Sequence, residues 1–153
     1  MSAVTRPRSK AERAARAPFI PLMRELVRAY QAFAAHDAAG YRDVDLTVPQ
    51  ADVVFTLGNT GGLTCKEIGE KTLITKGTLT GILDRLEAKS LIRRVPDSED
   101  RRSTRIRLTR AGERLFEREF PRQIAYLGER FDRLTPSERR DIQAALRRLR
   151  ELF

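Results

Sequence analysis

Leu63-Thr64-Cys65-Lys66-Glu67-Ile68, followed after a short gap by Thr75-Lys76-Gly77-Thr78-Leu79-Thr80-Gly81-Ile82-Leu83-Asp84-Arg85-Leu86-Glu87, is the stretch that decides the fold. Thr64 and Glu67 stand at the two ends of a capping box. Leu63 and Ile68 occupy the flanking hydrophobic-staple positions, so a helix is expected to start at Cys65. It can run only to about Lys71, because Thr72 to Ile74 read as a turn and Thr75 is placed to cap a second helix reaching about Lys89. On that second helix Leu79, Ile82, Leu83 and Leu86 recur at helical spacing and give one narrow apolar face. A short helix, a tight turn and a second helix with one buried stripe form a helix-turn-helix.

The face opposite Leu79 is unusual. At about 100° per residue, Gly77 and Gly81 point away from the core, with Thr78 and Thr80 beside them and Asp84 and Arg85 further along. Each interior glycine costs a helix about 1 kcal/mol relative to alanine, so a bare face is expected to serve close approach to another body. The DNA major groove fits: threonine can donate or accept at base edges, and Lys76 at the positive helix N-terminus suits a phosphate. A protein partner docking on the same bare face is the alternative reading.

Working outward, Leu91 to Val95 and Ser103 to Leu108 read as two strands joined by the polar turn Pro96 to Arg101, a hairpin with an arginine-bearing face. Residues 93–110 hold seven arginines against three acids. An arginine at the tip of a narrow ribbon can enter the minor groove, and Asp100-Arg101-Arg102 lies at that tip. Arg93, Arg94, Arg105 and Arg107 are candidates for backbone phosphates. Before the helix-turn-helix, Phe19, Leu22, Met23, Leu26, Val27, Tyr30 and Phe33 mark a helix from near Pro18. A shorter helix spans about Val48 to Leu57, with Pro49 in its first turn. After the hairpin, Thr109 caps a long helix that Pro121 is expected to kink or split. Thr135-Pro136-Ser137-Glu138 is a second capping box, opening a last helix that presents Ile142, Leu146 and Leu149. Residues 1–16, with Arg6, Arg8, Lys10, Arg13 and Arg16, read as a flexible basic arm.

Composition narrows the function classes. The chain has 153 residues, 41% apolar and 33% charged, with net charge +9. That is enough for one hydrophobic core, and no stretch approaches the roughly 18 apolar residues of a membrane span. One cysteine and one histidine leave no disulfide and no multi-cysteine or paired-histidine metal site. Cys65, in the first turn of its helix, reads as structural. No phosphate-binding glycine loop or nucleophile elbow occurs. The expectation is a cytoplasmic protein that is not an enzyme and needs no cofactor.

The residues quoted above, with Leu108-Thr109-Arg110-Ala111-Gly112, resemble the MarR family of bacterial transcriptional regulators, most specifically from Leu63 to Gly112. The resemblance implies a mainly α fold with a small β-hairpin: a winged helix-turn-helix lobe (48–110) between dimerisation helices (17–47 and 111–153). It implies a homodimer on double-stranded DNA, acting as a repressor at a pseudo-palindromic operator and responding to a small phenolic or anionic effector. Carried over residue by residue, Thr75, Lys76, Thr78, Thr80 and Arg85 fall on the recognition helix, and Arg101 and Arg102 at the wing tip. Asp100 would orient a wing arginine. The rival expectation is a winged-helix module for a protein partner.

Overall fold

The computed structural model describes residues 9–97 and 103–153. The chain divides into two compact units, Met1–Asp37 and Ala38–Phe153. In the first, α1 (Lys10–Ala14) is a single capped turn: Ser9 Oγ accepts from the Glu12 amide at 3.1 Å while the Ser9 amide donates to Glu12 Oε2 at 2.8 Å. The basic arm thus contains a helical turn that its charge pattern hid, although Ser9 and Glu12 have capping-box spacing. Helix α2 (Ile20–Ala39) begins in this unit and has no buried residue. The predicted stripe is exposed, including Phe19 just before the helix and Leu22, Tyr30 and Phe33 within it.

In the second unit, α3 (Val48–Leu57), β1 (Leu63–Thr64), α4 (Cys65–Thr72), α5 (Lys76–Ala88), β2 (Ile92–Pro96) and β3 (Thr104–Leu108) precede two helices, α6 (Arg110–Phe131) and α7 (Pro136–Arg150). The core follows the periodicities. Val53, Val54 and Leu57 of α3 meet Ile68 of α4, with Leu79, Leu83 and Leu86 of α5 and Ile92 and Ile106 of the sheet, all at or near zero exposure. Phe55, Phe116 and Phe120 extend it: Phe116 stacks on Phe120 at 5.0 Å, and Phe55 meets Phe120 edge-on at 5.2 Å, geometries that aromatic quadrupoles favour.

Three expectations need correction. The sheet has three antiparallel strands in the order β1-β3-β2, not two, because Leu63 pairs with Ile106 and Thr64 with Arg105. Two residues carry too little periodicity to read as a strand. Helix α6 is not split at Pro121; it continues from Arg110 to Phe131. Pro121 and Glu117, whose carbonyl loses its donor, are both exposed, so water can satisfy that carbonyl. Thr75 does stand at the N-cap of α5, yet its hydroxyl makes no cap bond and instead donates to Thr78 Oγ1 at 3.2 Å.

Two backbone features set the lobe. Leu73, which ends α4, is left-handed (φ 58°) and 87% exposed; Thr72 Oγ1 bridges the turn by donating to the Ile68 carbonyl at 2.8 Å and accepting from the Ile74 amide at 3.3 Å. At Gly112, a Cβ would stand 2.1 Å from the Leu91 carbonyl oxygen. That absence of a side chain lets α6 start directly against the β2 entry, where Thr109 Oγ1 also donates to the Ser90 carbonyl at 2.6 Å.

Candidate nucleic-acid interface

Helix α5 is held by its buried face. Leu79, Ile82, Leu83 and Leu86 are all within 4% exposure, which fixes the rotation of everything else on the helix. Thr75, Lys76, Thr78, Thr80 and Arg85 are consequently exposed. A Cβ built on Gly77 or Gly81 meets nothing within 4 Å, so no packing in this chain requires either glycine. Thr80 is exposed, and its Oγ1 donates back to the Lys76 carbonyl at 3.2 Å. Arg85 and Lys76 make no ion pair among the described residues. The exposed face is therefore polar, cationic and bare along its centre.

The capping box that opens α4 is formed as the spacing predicts. Thr64 Oγ1 accepts from the Glu67 amide at 3.2 Å, and Glu67 Oε2 accepts from the Thr64 amide at 2.7 Å. These bonds favour the ionised carboxylate, so the Glu67 pKa lies below its ordinary value, the backbone bond being the main cause. Cys65 beside it is a free, exposed cysteine.

The hairpin arginines do not act alike, and this corrects the expectation that all four can meet phosphates. Arg94 reaches back onto α5, with Nη2 on Asp84 Oδ1 at 2.6 Å and Nη1 on Glu87 Oε2. The Asp84 hydrogen bond, aided by the charge of Glu87 and opposed by burial, holds its pKa above the ordinary arginine value. Arg105 donates through Nε to Asp97 Oδ2 at 2.7 Å and through Nη1 to the Gly62 carbonyl at 2.8 Å. Asp97 is buried and its amide donates to the Ser103 carbonyl at 2.9 Å, closing the hairpin stem. Strand alternation puts Arg93 and Arg107 opposite each other, facing Glu113 and Glu117 of α6 across a cleft. Asp100, Arg101 and Arg102 lie outside the described residues. The Arg94 tie was missed by sequence reading, although Asp84 and Glu87 at helical spacing just before an arginine-rich strand hinted at it.

Among the described residues no group of three or more metal-ligating side chains occurs, and no helix is long and apolar enough to cross a membrane. Residues 46–104 match the MarR family. The chain is 30% identical over 110 residues to an uncharacterised HTH-type transcriptional regulator of Bacillus subtilis, YfiV, spanning 72% of this chain and 69% of that protein. It is 41% identical over 85 residues to the HTH-type transcriptional regulator TtmR of Methylorubrum extorquens, covering 56% of this chain and 40% of that longer protein. Among solved structures it is similar to BpsR of Bordetella bronchiseptica, whose DNA binding is regulated by 6-hydroxynicotinic acid. That likeness has a TM-score of 0.73 and 30% identity, and covers 84% of this chain and 98% of BpsR. The MarR family regulator AbsC of Streptomyces coelicolor shares the fold at TM-score 0.77 and 21% identity, covering 96% of this chain and 97% of AbsC. The helix-turn-helix lies within the matched residues, and the wing and flanking helices follow the fold of these relatives: the chain belongs to the MarR family of helix-turn-helix transcriptional regulators.

Proposed function

We propose that the chain works as a homodimeric repressor that binds a pseudo-palindromic operator and is released or tightened by a small effector. The observation that carries this reading is the α5 face, where two glycines open onto empty space between exposed Thr75, Lys76, Thr78, Thr80 and Arg85. Placed in the major groove, the bare centre admits close approach, the threonines meet base edges, and Lys76 and Arg85 meet phosphates. Arg101 and Arg102 supply the minor-groove contact, with Asp100 orienting one of them. In this reading residues 48–110 are the DNA-binding lobe, flanked by dimerisation segments 17–47 and 111–153. The exposed apolar residues of α2 and of α7, including Leu22, Tyr30, Ile142 and Leu146, support a dimer, since exposed apolar patches of this kind mark association surfaces. Two recognition helices would then read half-sites about one helical turn apart. The effector response rests on similarity to BpsR, whose ligand is a small aromatic acid.

The test is fluorescence-anisotropy binding to DNA upstream of the chain's own gene against scrambled duplex, across a salt series. Preference by about a thousandfold or more, weakening steeply with salt, is the expected result. Arg101→Ala with Arg102→Ala is expected to remove most operator affinity while leaving fold and dimer intact. Equal, weak binding to both duplexes would move the α5 face from DNA to a protein partner.

A further inference from the structure

Arg93 and Arg107 form an arrangement that neither the fold nor the DNA interface explains. They are direct cross-strand neighbours on β2 and β3 and both are exposed; like charges in that position destabilise a sheet. Every other described arginine of the hairpin has a carboxylate: Arg94 holds Asp84 and Glu87, and Arg105 holds Asp97. Arg93 and Arg107 make no ion pair among the described residues, and neither do Glu113 and Glu117, although all four line one cleft of about 400 Å3. Leu57 and Phe116 supply its apolar wall.

The cleft is built rather than incidental. Gly62 has φ +105°, and a Cβ there would stand 2.5 Å from Arg107 Cγ, so the arginine stem lies across a position only glycine leaves open. The loop before it is fixed, with Thr60 Oγ1 donating to the Leu57 carbonyl at 2.6 Å and accepting from the Gly62 amide at 3.2 Å. A Cβ on Gly58 would stand 2.2 Å from the Phe116 ring, so that wall is seated equally closely.

We infer that this cleft is a binding site for a small zwitterion: a carboxylate held between the Arg93 and Arg107 guanidinium groups, with an ammonium group received by Glu113 and Glu117 of α6. The two guanidinium groups attract an anion while the two carboxylates disfavour it, and the reverse holds for a cation, so the four together favour a ligand that carries both charges over one that carries either. A phosphate chain of DNA is disfavoured in the same way. Planar bidentate capture of a carboxylate is what a guanidinium group does well. Such a ligand bridges the wing sheet to α6, and would therefore couple to operator binding; this last step rests on the proposed regulatory function.

The test uses the full chain without DNA and three probes of increasing charge separation, glycine, 4-aminobutyrate and 6-aminohexanoate, titrated calorimetrically beside butyrate, butylamine and inorganic phosphate. At least one zwitterion is expected to bind at least tenfold more tightly than butyrate, butylamine or phosphate. Arg107→Gln and Glu117→Gln, both at exposed positions, are each expected to weaken that binding at least tenfold with unchanged circular dichroism. The inference is overturned if no zwitterion in the ladder binds, if phosphate, butyrate or butylamine binds as well, or if either Arg107→Gln or Glu117→Gln binds normally. Operator affinity is then measured with and without the bound zwitterion. A shift supports the coupling, and an unchanged affinity overturns the coupling while the titrated site stands. Absence of operator binding in the probe-free control bears only on the proposed regulator.

Discussion

Replacing Gly81 separates what α5 does for the fold from what it does for DNA. The residue lies well inside a 13-residue helix, and a Cβ there meets nothing within 4 Å. Alanine therefore gains the full helix-propensity difference of about 1 kcal/mol without any steric penalty. For a chain of this size that corresponds to a rise in Tm of roughly 2–4 °C. Leucine, slightly poorer than alanine in propensity, still stabilises the helix but fills the bare face. If docking then loses as little as about 1.4 kcal/mol per protomer, each half-site weakens tenfold and a dimer about a hundredfold. The assays are thermal denaturation by circular dichroism and operator binding by fluorescence anisotropy, run on Gly81→Ala and Gly81→Leu. Lower Tm in both variants would show that the space beside Gly81 is occupied in the folded protein. Normal operator affinity in a stabilised Gly81→Leu variant would refute the assignment of this face to DNA.

Other perturbations have equally definite outcomes. Leu73→Asn, at an exposed left-handed position, should stabilise the fold by about 1 kcal/mol in urea denaturation, because leucine is strained there and asparagine is not. Gly112→Ala should destabilise by about 3 kcal/mol in the same assay, since its methyl group meets a backbone carbonyl rather than a flexible side chain. Arg85→Gln should flatten the slope of log affinity against log salt by about 2 per dimer, one released counterion per protomer, with unchanged thermal stability. Glu67→Gln should be less stable than the parent at neutral pH. The folded-state pKa of Glu67 is lowered, so its contribution is present above the unfolded value and lost as pH falls through the folded one; the gap between parent and variant should close below about pH 4.

The helix-turn-helix was legible because its signals are local. Thr64 and Glu67 lie three residues apart, and the α5 stripe repeats within four turns, so spacing alone places them. Pro121 misled for the opposite reason: a proline's effect depends on whether the orphaned carbonyl reaches water, and only the fold decides that Glu117 faces outward. The hairpin arginines look equivalent in sequence, yet strand alternation sends Arg94 to α5 and Arg93 to the opposite face, and the partners that distinguish them come from other elements. β1 was invisible because two residues have no periodicity, and its identity comes entirely from Ile106 and Arg105 across the ladder.

The contact at Gly112 turns α6 into a lever. Its first turn bears on the Leu91 carbonyl at the foot of β2, while its last residue, Phe131, lies nineteen positions further on, about 28 Å away at 1.5 Å per residue. A sideways displacement of about 2.5 Å at the far end then becomes a tilt of about 5° at the near end. Gly112 puts no side chain between that pivot and the Leu91 carbonyl, so a tilt of α6 would bear on backbone at the foot of β2 rather than on a flexible side chain.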